Sequence, residues 1–174
     1  LPLVARLPRS APKRPKGLVL CPTRELALQV AEELERLGDL RVLAVYGGAS
    51  IEPQLKQLRA GVDVVVACPG RLLDVIDRGA CDLRDVQIAV LDEADRMADM
   101  GFLPDVRRLL DQTRDDRQTL LFSATLDGAI DEARIARHLP EARQRGEDRE
   151  LSGATVATLH GARDARAKRV RSAS

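Results

Sequence analysis

The chain has 174 residues, which suffices for one ordinary domain with an apolar core but not for two of comparable size. Its 28 Lys and Arg residues nearly balance its 27 Asp and Glu residues, so no global charge directs it to a nucleic acid or a membrane. The three cysteines are widely spaced and form no Cys-x-x-Cys pair, which argues against a disulfide framework or a zinc site and favours the cytoplasm. No apolar run approaches the roughly 20 residues that span a bilayer, and the first residues lack the layout of a signal peptide.

Aromatic residues make up only 2% of the chain, so Leu, Val, Ile and Ala must build the core. Residues 6–17 are rich in Pro, Arg and Lys and are predicted to form an exposed connection. After them, short apolar runs alternate with segments whose apolar residues have helical spacing. The predicted strands are 17–21, 41–45, 63–67, 87–91 and 118–122, and the predicted helices are 24–37, 52–60, 71–78 and 103–112. This alternation predicts right-handed crossovers and a parallel α/β sheet flanked by helices.

Ligands of parallel α/β sheets bind beyond the carboxyl ends of the strands, so the loops after the strands form the candidate site. These loops read Pro22-Thr23-Arg24, Tyr46-Gly47-Gly48, Cys68-Pro69-Gly70-Arg71, Asp92-Glu93-Ala94-Asp95 and Ser123-Ala124-Thr125. Taken singly, each loop is explained as well by helix capping or by a turn. The acidic tetrapeptide also indicates a chemistry, because an acidic pair at the end of a buried strand can hold Mg²⁺ and position water for nucleotide hydrolysis.

Taken together and in order, the segments resemble the motif series of the first RecA-like domain of DEAD-box RNA helicases. The matching segments are 22–27, 47–48, 69–71, 92–95 and 123–125. The resemblance covers residues 1–139 and implies the RecA-like fold of P-loop NTPases, with ATP and Mg²⁺ as cofactors and RNA as the partner. It implies an ATP-dependent RNA helicase, in which ATP hydrolysis is coupled to RNA binding and unwinding. RNA rather than DNA as the substrate rests on the resemblance alone.

The resemblance also implies roles for the acidic and hydroxyl residues. Asp92 matches the carboxylate that holds Mg²⁺ on the ATP phosphates through water, and Glu93 matches the one that orients and deprotonates the attacking water. Asp95 resembles the residue that links the ATP site to the Ser-Ala-Thr loop. Ser123 and Thr125 of that loop are expected to couple the nucleotide state to RNA binding.

The remaining three loops resemble the RNA-contacting set of the family, which holds phosphates without reading bases. Thr23 and Arg24 are expected to bond one phosphate, and Gly48 is expected to let the backbone approach closely. Gly70 and Arg71 open a helix whose exposed amides suit another phosphate.

Cys68 departs from the family pattern, which usually has Thr at this position. A thiol is a weaker donor than a hydroxyl, so a modest loss of phosphate contact is one expectation. A buried small residue at a strand end is the equally open alternative.

Other parts of the family pattern do not occur in the sequence. The Ala-x-x-Gly-x-Gly-Lys-Thr phosphate loop, which in the family precedes a segment resembling Leu1-Pro2-Leu3, is not found. The adenine-recognition segment and the second RecA-like domain are not found either. We therefore expect a RecA-like sheet without its first strand, and little ATP hydrolysis by this segment alone. A non-catalytic RNA-binding remnant is the alternative function.

Residues 140–174 are rich in Ala, Arg and Gly and contain few large apolar residues, which predicts a flexible tail. A slip of the reading frame and an independent linker are both open explanations of this composition. The residues do not identify the RNA target, the protein partners or the oligomeric state.

Overall fold

The computed structural model describes residues 7–123 and, as backbone, one strand at Ala154–Thr158. Thr125 and the rest of the predicted tail lie outside the described residues. The strands are β1 (Gly17–Leu20), β2 (Val42–Val45), β3 (Val64–Ala67), β4 (Ile88–Leu91), β5 (Gln118–Ser123) and β6 (Ala154–Thr158). The helices are α1 (Arg24–Arg36), α2 (Glu52–Ala60), α3 (Pro69–Asp77), α4 (Ala94–Asp99) and α5 (Leu103–Leu110), with a 3₁₀ turn at Leu83–Asp85.

The strands form one parallel sheet in the order β2-β3-β1-β4-β5-β6. The predicted parallel α/β fold is therefore confirmed. Gly17 at the start of β1 pairs with Val64 of β3 on one side and with Ile88 of β4 on the other. Because these strands start level and have equal length, their carboxyl ends and the loops that follow them are level too.

The sheet is covered on both faces, which explains why its central strands are continuous apolar runs. On one face, α1 packs Ala27, Ala31 and Leu34 against the strands. On the other face lie apolar residues of α2 to α5, including Leu55, Leu72, Met97 and Leu109. Right-handed crossovers require this division, because the chain first moves to the β2 edge through α1 and then returns across the sheet.

Several elements differ from the prediction. Helix α3 begins at Pro69 rather than Arg71, because proline is well tolerated in the first turn. Helix α4 was not predicted, since its six residues are too few to show helical periodicity. The strand at Ala154–Thr158, which pairs with β5, was not predicted either. No helix in the described part of the chain is long and apolar enough to cross a bilayer.

The segment before β1 is more firmly attached than an exposed connection. Half of its described residues, 7–16, are exposed and the prolines exclude a helix, as expected, but Ser10 and Pro15 are buried. The N–H of Lys13 donates to the carbonyl of Leu58 at 3.0 Å, and the carbonyl of Lys13 accepts from the N–H of Asp82 at 2.8 Å. The segment is therefore hydrogen-bonded to two neighbouring parts of the fold.

Asp63, the residue before β3, anchors this segment and is 0% exposed. Its carboxylate accepts from the N–H of Ser10 at 2.7 Å and from the N–H of Arg41 at 3.0 Å. The guanidinium groups of Arg9 and Arg41 add ionic hydrogen bonds at 3.0 Å and 2.8 Å. Burial by itself raises the pKa of the carboxyl group, but these donors together outweigh it and hold the pKa of Asp63 well below its usual range.

We expect Asp63→Asn to lower the free energy of unfolding by about 3 kcal/mol, because it removes the buried partner of two guanidinium groups. Since the folded pKa is depressed, this stabilisation is fully present above about pH 4 and is lost as the pH falls towards the folded value. Urea denaturation at about pH 7 and about pH 3 measures both effects. Asp39→Asn, which removes only an exposed partner of Arg9, is the matched control with a much smaller effect. Equal stability of Asp63→Asn and the wild type at neutral pH would contradict the anchoring role.

Candidate functional site

The loops at the carboxyl edge of the sheet are ordered by strand position and not by chain position. The loops after β2, β3 and β1 lie side by side, at residues 46–51, 68–71 and 21–24. The acidic loop 92–95 follows β4, and Ser123 ends β5. We call these three loops the basic half of the edge and number them in chain order, so that the first loop is 21–24, the second is 46–51 and the third is 68–71. The acidic loop and Ser123 form the acidic half. All three loops that sequence reasoning grouped as RNA-contacting are thus neighbours.

Arg24 connects the first and second loops of the basic half. Its guanidinium lies over the ring of Tyr46, 5.0 Å from the ring centroid, at a distance typical of a cation–π contact. Gly48 has a φ of +77°, and a Cβ at this glycine would lie 4.0 Å from Nη1 of Arg24. The left-handed backbone is strained for most other residues, so the loop needs glycine here. The structure therefore brings Arg24 and Gly48 together, as sequence reasoning grouped them.

Arg71 connects the third loop to the second. Its Nη1 donates to the carbonyl of Ala49 at 3.2 Å, and its side chain is half-buried. This bond engages one N–H of a guanidinium that carries five, which leaves donors for a phosphate. Gly70 is exposed and has open space where a Cβ would be. The first turn of α3 therefore presents backbone N–H groups beside the Arg71 side chain.

Thr23 serves first as the N-cap of α1. Its Oγ1 accepts from the N–H of Leu26 at 3.3 Å, and its extended backbone ends the preceding loop. The hydroxyl hydrogen is not used by this bond, so Thr23 can cap the helix and still donate to an anion. Capping and phosphate binding, weighed as alternatives from sequence, are compatible here.

Asp92 is half-buried at the end of β4, and its backbone N–H donates to the carbonyl of Leu20 in β1 at 2.9 Å. Its Oδ1 accepts from the N–H of Glu93 at 3.1 Å. Burial raises the pKa of Asp92, the Glu93 N–H lowers it, and the negative charge of Glu93 raises it further, so the net direction is upward. Among the residues that the structure describes, no Lys or Arg forms a salt bridge with Asp92.

Glu93 adopts the left-handed conformation, with φ 49° and ψ 52°. Among the described residues, only Lys13 and Glu93 combine a positive φ with a side chain. Its Oε2 lies 3.3 Å from Nη1 of Arg96, one turn further along α4. A strained backbone in a loop with several charged residues, such as the acidic loop 92–95, is typical of a functional site.

Asp95 follows β4 and Ser123 ends β5, so the two residues lie at the ends of neighbouring strands. Asp95 is in the first turn of α4, and Ser123 is buried at the end of β5, which pairs with β4. Thr125, grouped with them from sequence, lies outside the described residues. Among residues 7–123, no group of three His, Cys, Asp or Glu side chains gathers to hold a metal ion.

Cys68 precedes α3 as its N-cap residue, but its side chain makes no capping hydrogen bond. It is half-buried, and burial raises the pKa of its thiol, with a smaller effect from the charge of Glu25. Cys21, at the same level of the neighbouring strand, is fully buried, and its pKa is raised by burial first and then by Asp92. Both thiols therefore remain protonated and line the base of the edge.

Sequence reasoning did not single out Gln54, whose side-chain amide is hydrogen-bonded to the Tyr46–Ser50 loop. The available signal was its position: it is the third residue of α2, where Gln often reaches back past the helix start. The same reasoning used Tyr46 only to mark the loop, and missed its contact with Arg24.

A parallel sheet with an acidic pair and two arginine-bearing loops on one edge is typical of an α/β domain of the RecA-like class. The family model described as DEAD/DEAH box helicase matches residues 1–133. The chain therefore belongs to the DEAD/DEAH box helicase family.

Named relatives and solved structures agree with this family. The chain is 52% identical over 118 residues to the DEAD-box ATP-dependent RNA helicase CshA of Streptococcus pneumoniae serotype 4, a match that covers 66% of this chain and 22% of the relative. It is 53% identical over 114 residues to the ATP-dependent RNA helicase DBP2 of Mycosarcoma maydis, covering 64% of this chain and 21% of the relative. The chain thus spans about a fifth of the length of these relatives.

The fold is similar to that of a DEAD box protein from the hyperthermophile Methanococcus jannaschii, with a TM-score of 0.72 and 35% identity. That match covers 90% of this chain and 40% of the other. A hypothetical ATP-dependent RNA helicase from Sulfolobus tokodaii gives a TM-score of 0.67 at 36% identity, covering 82% of this chain and 40% of the other. The RecA-like sheet expected from the sequence is thereby confirmed.

The left-handed backbone of Glu93 generates a stability prediction. We expect Glu93→Gly to be more stable than Glu93→Ala by about 1 kcal/mol, because only glycine adopts this conformation without strain. Both variants lose the same carboxylate and the same contact with Arg96, so the comparison isolates the backbone. Urea denaturation of the two variants gives the difference.

Glu25 supplies the matched control, since it lies in the first turn of α1 with ordinary helical backbone. There we expect the reverse order, with Ala more stable than Gly by up to about 1 kcal/mol. The same order at both positions would contradict the assignment of strain to Glu93.

Proposed function

We propose that the protein is an ATP-dependent RNA helicase, in which this chain contributes the RNA-binding face and the catalytic acidic pair of the first RecA-like domain. The observation that carries the proposal is the arrangement of the carboxyl edge. Three phosphate-directed loops lie side by side on β2, β3 and β1, and the acidic loop follows on the adjacent β4. The names of the family relatives, which are RNA helicases, support the choice of substrate.

The basic half is proposed to hold the phosphates of single-stranded RNA without reading its bases. Arg24 and Arg71 supply charge, and Thr23 supplies a hydroxyl donor. Gly48 and Gly70 leave the backbone accessible. Both arginines contact the 46–51 loop, so each guanidinium is held against the same loop before RNA binds. Such preorganisation favours binding, since less side-chain freedom is lost.

Asp92 is the proposed ligand of Mg²⁺, through water, on the phosphates of ATP. The donor chemistry fits, because a carboxylate oxygen is the kind of ligand that Mg²⁺ prefers. Asp92 is half-buried beside the negative charge of Glu93, and it forms no salt bridge within the described part of the chain. When bound, Mg²⁺ supplies neutralisation of phosphate charge. No Gly-x-Gly-Lys-Thr occurs in the sequence, so other contacts to ATP are proposed to come from residues outside it.

Glu93 is the proposed general base, which orients the attacking water and accepts its proton. Its left-handed backbone places it at the turn between β4 and α4, next to Asp92. Asp95, Ser123 and Thr125 are proposed to couple the nucleotide state to RNA binding. The reason is that α4 follows β4, and β4 pairs with β5, which ends at Ser123. The proposed compartment is the cytoplasm, a proposal supported by three free thiols at Cys21, Cys68 and Cys81.

RNA binding by the basic half is tested with Arg71→Ala. We expect weaker binding of single-stranded RNA and a salt slope that is smaller by about 0.7 to 1, because one phosphate contact is lost. Fluorescence titration with a labelled RNA oligonucleotide at several salt concentrations measures both quantities.

The control for Arg71→Ala is Arg78→Ala, which removes the same charge at the other end of α3, where Arg78 pairs with Asp74. It is expected to leave the salt slope unchanged. Equal slopes for the wild type and Arg71→Ala would contradict the assignment of Arg71 to a phosphate.

Catalysis is tested with Glu93→Gln, which keeps the size of the side chain but removes the base. In the helicase that contains this chain, we expect RNA-stimulated ATP turnover to fall at least about a hundredfold, as is typical for the loss of a general base. RNA affinity should stay unchanged, because Glu93 is not in the basic half. Turnover equal to that of the wild type would exclude Glu93 as the base.

A further inference from the structure

Gln54 is a buried polar residue that the proposed mechanism does not use. It is 6% exposed and occupies the third position of α2. Its Oε1 accepts from the N–H of Tyr46 at 3.2 Å, and its Nε2 donates to the carbonyl of Tyr46 at 3.2 Å. Nε2 also donates to the carbonyl of Ser50 at 3.2 Å. One side chain therefore binds both ends of the loop that joins β2 to α2.

The loop between these two ends contains the contacts that organise the basic half. Gly48 lies beside the guanidinium of Arg24, and the carbonyl of Ala49 accepts from Arg71. Tyr46 itself carries the ring under Arg24. The loop includes Gly47 and Gly48, and paired glycines by themselves leave the backbone many accessible conformations. A side chain that binds both ends of such a loop restricts it to one conformation.

We propose that Gln54 is a positioning residue, whose amide holds the Tyr46–Ser50 loop in the shape that places Arg24 and Arg71 for phosphate binding. The proposal rests on the proposed function for its RNA part. The amide suits this role because it offers an acceptor and donors at one place, and so pairs with both the backbone N–H and the carbonyl of Tyr46. Rigidifying a binding loop in its bound conformation increases affinity by lowering the entropy lost on binding.

The test compares Gln54→Met with Gln57→Met. The first variant keeps the length of the side chain but removes all three hydrogen bonds. The second makes the same replacement on the exposed side of the same helix. If the Gln54 amide did not hold the loop, the loop would behave alike in both variants.

Tyr46 is a direct reporter of the loop, since the chain has one tyrosine and no tryptophan. For Gln54→Met we expect acrylamide to quench the tyrosine fluorescence more efficiently, because the ring becomes more accessible when the loop is released. Gln57→Met should be quenched like the wild type. This readout requires no RNA, so it tests the positioning role separately from the proposed function.

RNA binding is the second readout. We expect Gln54→Met to bind single-stranded RNA about five- to tenfold more weakly, the effect of losing roughly one hydrogen bond's net contribution. The salt slope should stay at the wild-type value, since Arg24 and Arg71 are both retained. This distinguishes a positioning residue from a phosphate contact, whose loss lowers the slope.

Thr113→Val is the control for a general loss of stability. It removes a buried hydroxyl that donates to the carbonyl of Leu110 at 2.7 Å, in the segment before β5 and away from the loop. It should leave quenching and RNA affinity unchanged. If Gln54→Met fails to fold, Gln54→Glu takes its place, because it keeps the length and loses both donated bonds, and the same changes are expected.

Each outcome decides either the positioning role of Gln54 or the proposed function. Wild-type quenching of Tyr46 in a folded Gln54 variant overturns the positioning role, whether or not the chain binds RNA. Increased quenching with unchanged RNA affinity also overturns it, because the shape of the loop then does not matter for binding. A wild-type chain that does not bind RNA overturns the proposed function, and quenching alone then decides whether Gln54 holds the loop.

Discussion

Strands β1 to β4 are each four residues long, so a functional loop at one end of a strand lies only about 13 Å from the anchor at the other end. Asp63 provides that anchor at the amino edge. Its carbonyl accepts from the N–H groups of Lys16 and Gly17, both at 3.0 Å, and its N–H donates to the carbonyl of Arg41 at 2.7 Å. The buried carboxylate of Asp63 also accepts from the N–H of Ser10, which attaches the segment before β1. One residue thus joins the starts of three strands, and their level carboxyl ends follow from it.

The opposite edge shows how a chain with nearly balanced charge can form a basic surface. The arginines of the basic half come from different loops, and neither is fixed by a carboxylate of the described residues. Arg24 is held by the ring of Tyr46, and Arg71 is held by the carbonyl of Ala49. Both partners belong to one loop, so the conformation of that loop controls the position of both charges. Because aromatic rings and carbonyls do not neutralise a guanidinium, its charge stays available for a phosphate.

The acidic half is connected to the basic half through the backbone of the sheet. The N–H of Asp92 donates to the carbonyl of Leu20, a few residues before Arg24 in the chain. A shift of the acidic loop therefore acts on the strand that leads into the first loop of the basic half. This short route is a physical basis for the proposed coupling between ATP and RNA, in addition to the route through Asp95 and Ser123.

Much of the fold could be predicted because its parallel strands are buried on both faces and read as apolar runs between helical patterns. The predicted strand ends were correct to within about two residues, and they placed the candidate loops on one edge. Helix α4 was missed because it is too short for periodicity, and β6 because its segment has few large apolar residues. The prediction of an exposed connection before β1 was wrong in one respect, since composition does not show that Asp63 binds this segment.

By itself, the sequence determined the parallel α/β class and the edge that carries the candidate loops, because both follow from local patterns. The roles expected for Asp92, Glu93 and the basic half rest on the motif resemblance and stay predictions. Only the tertiary structure decided which loops are neighbours, because strand order is set by crossovers that join residues far apart in the chain. It also decided the left-handed backbone of Glu93, the contact of Arg24 with Tyr46, and the hydrogen bonds of Gln54. Those features depend on distances of a few ångströms between elements, which no local pattern encodes.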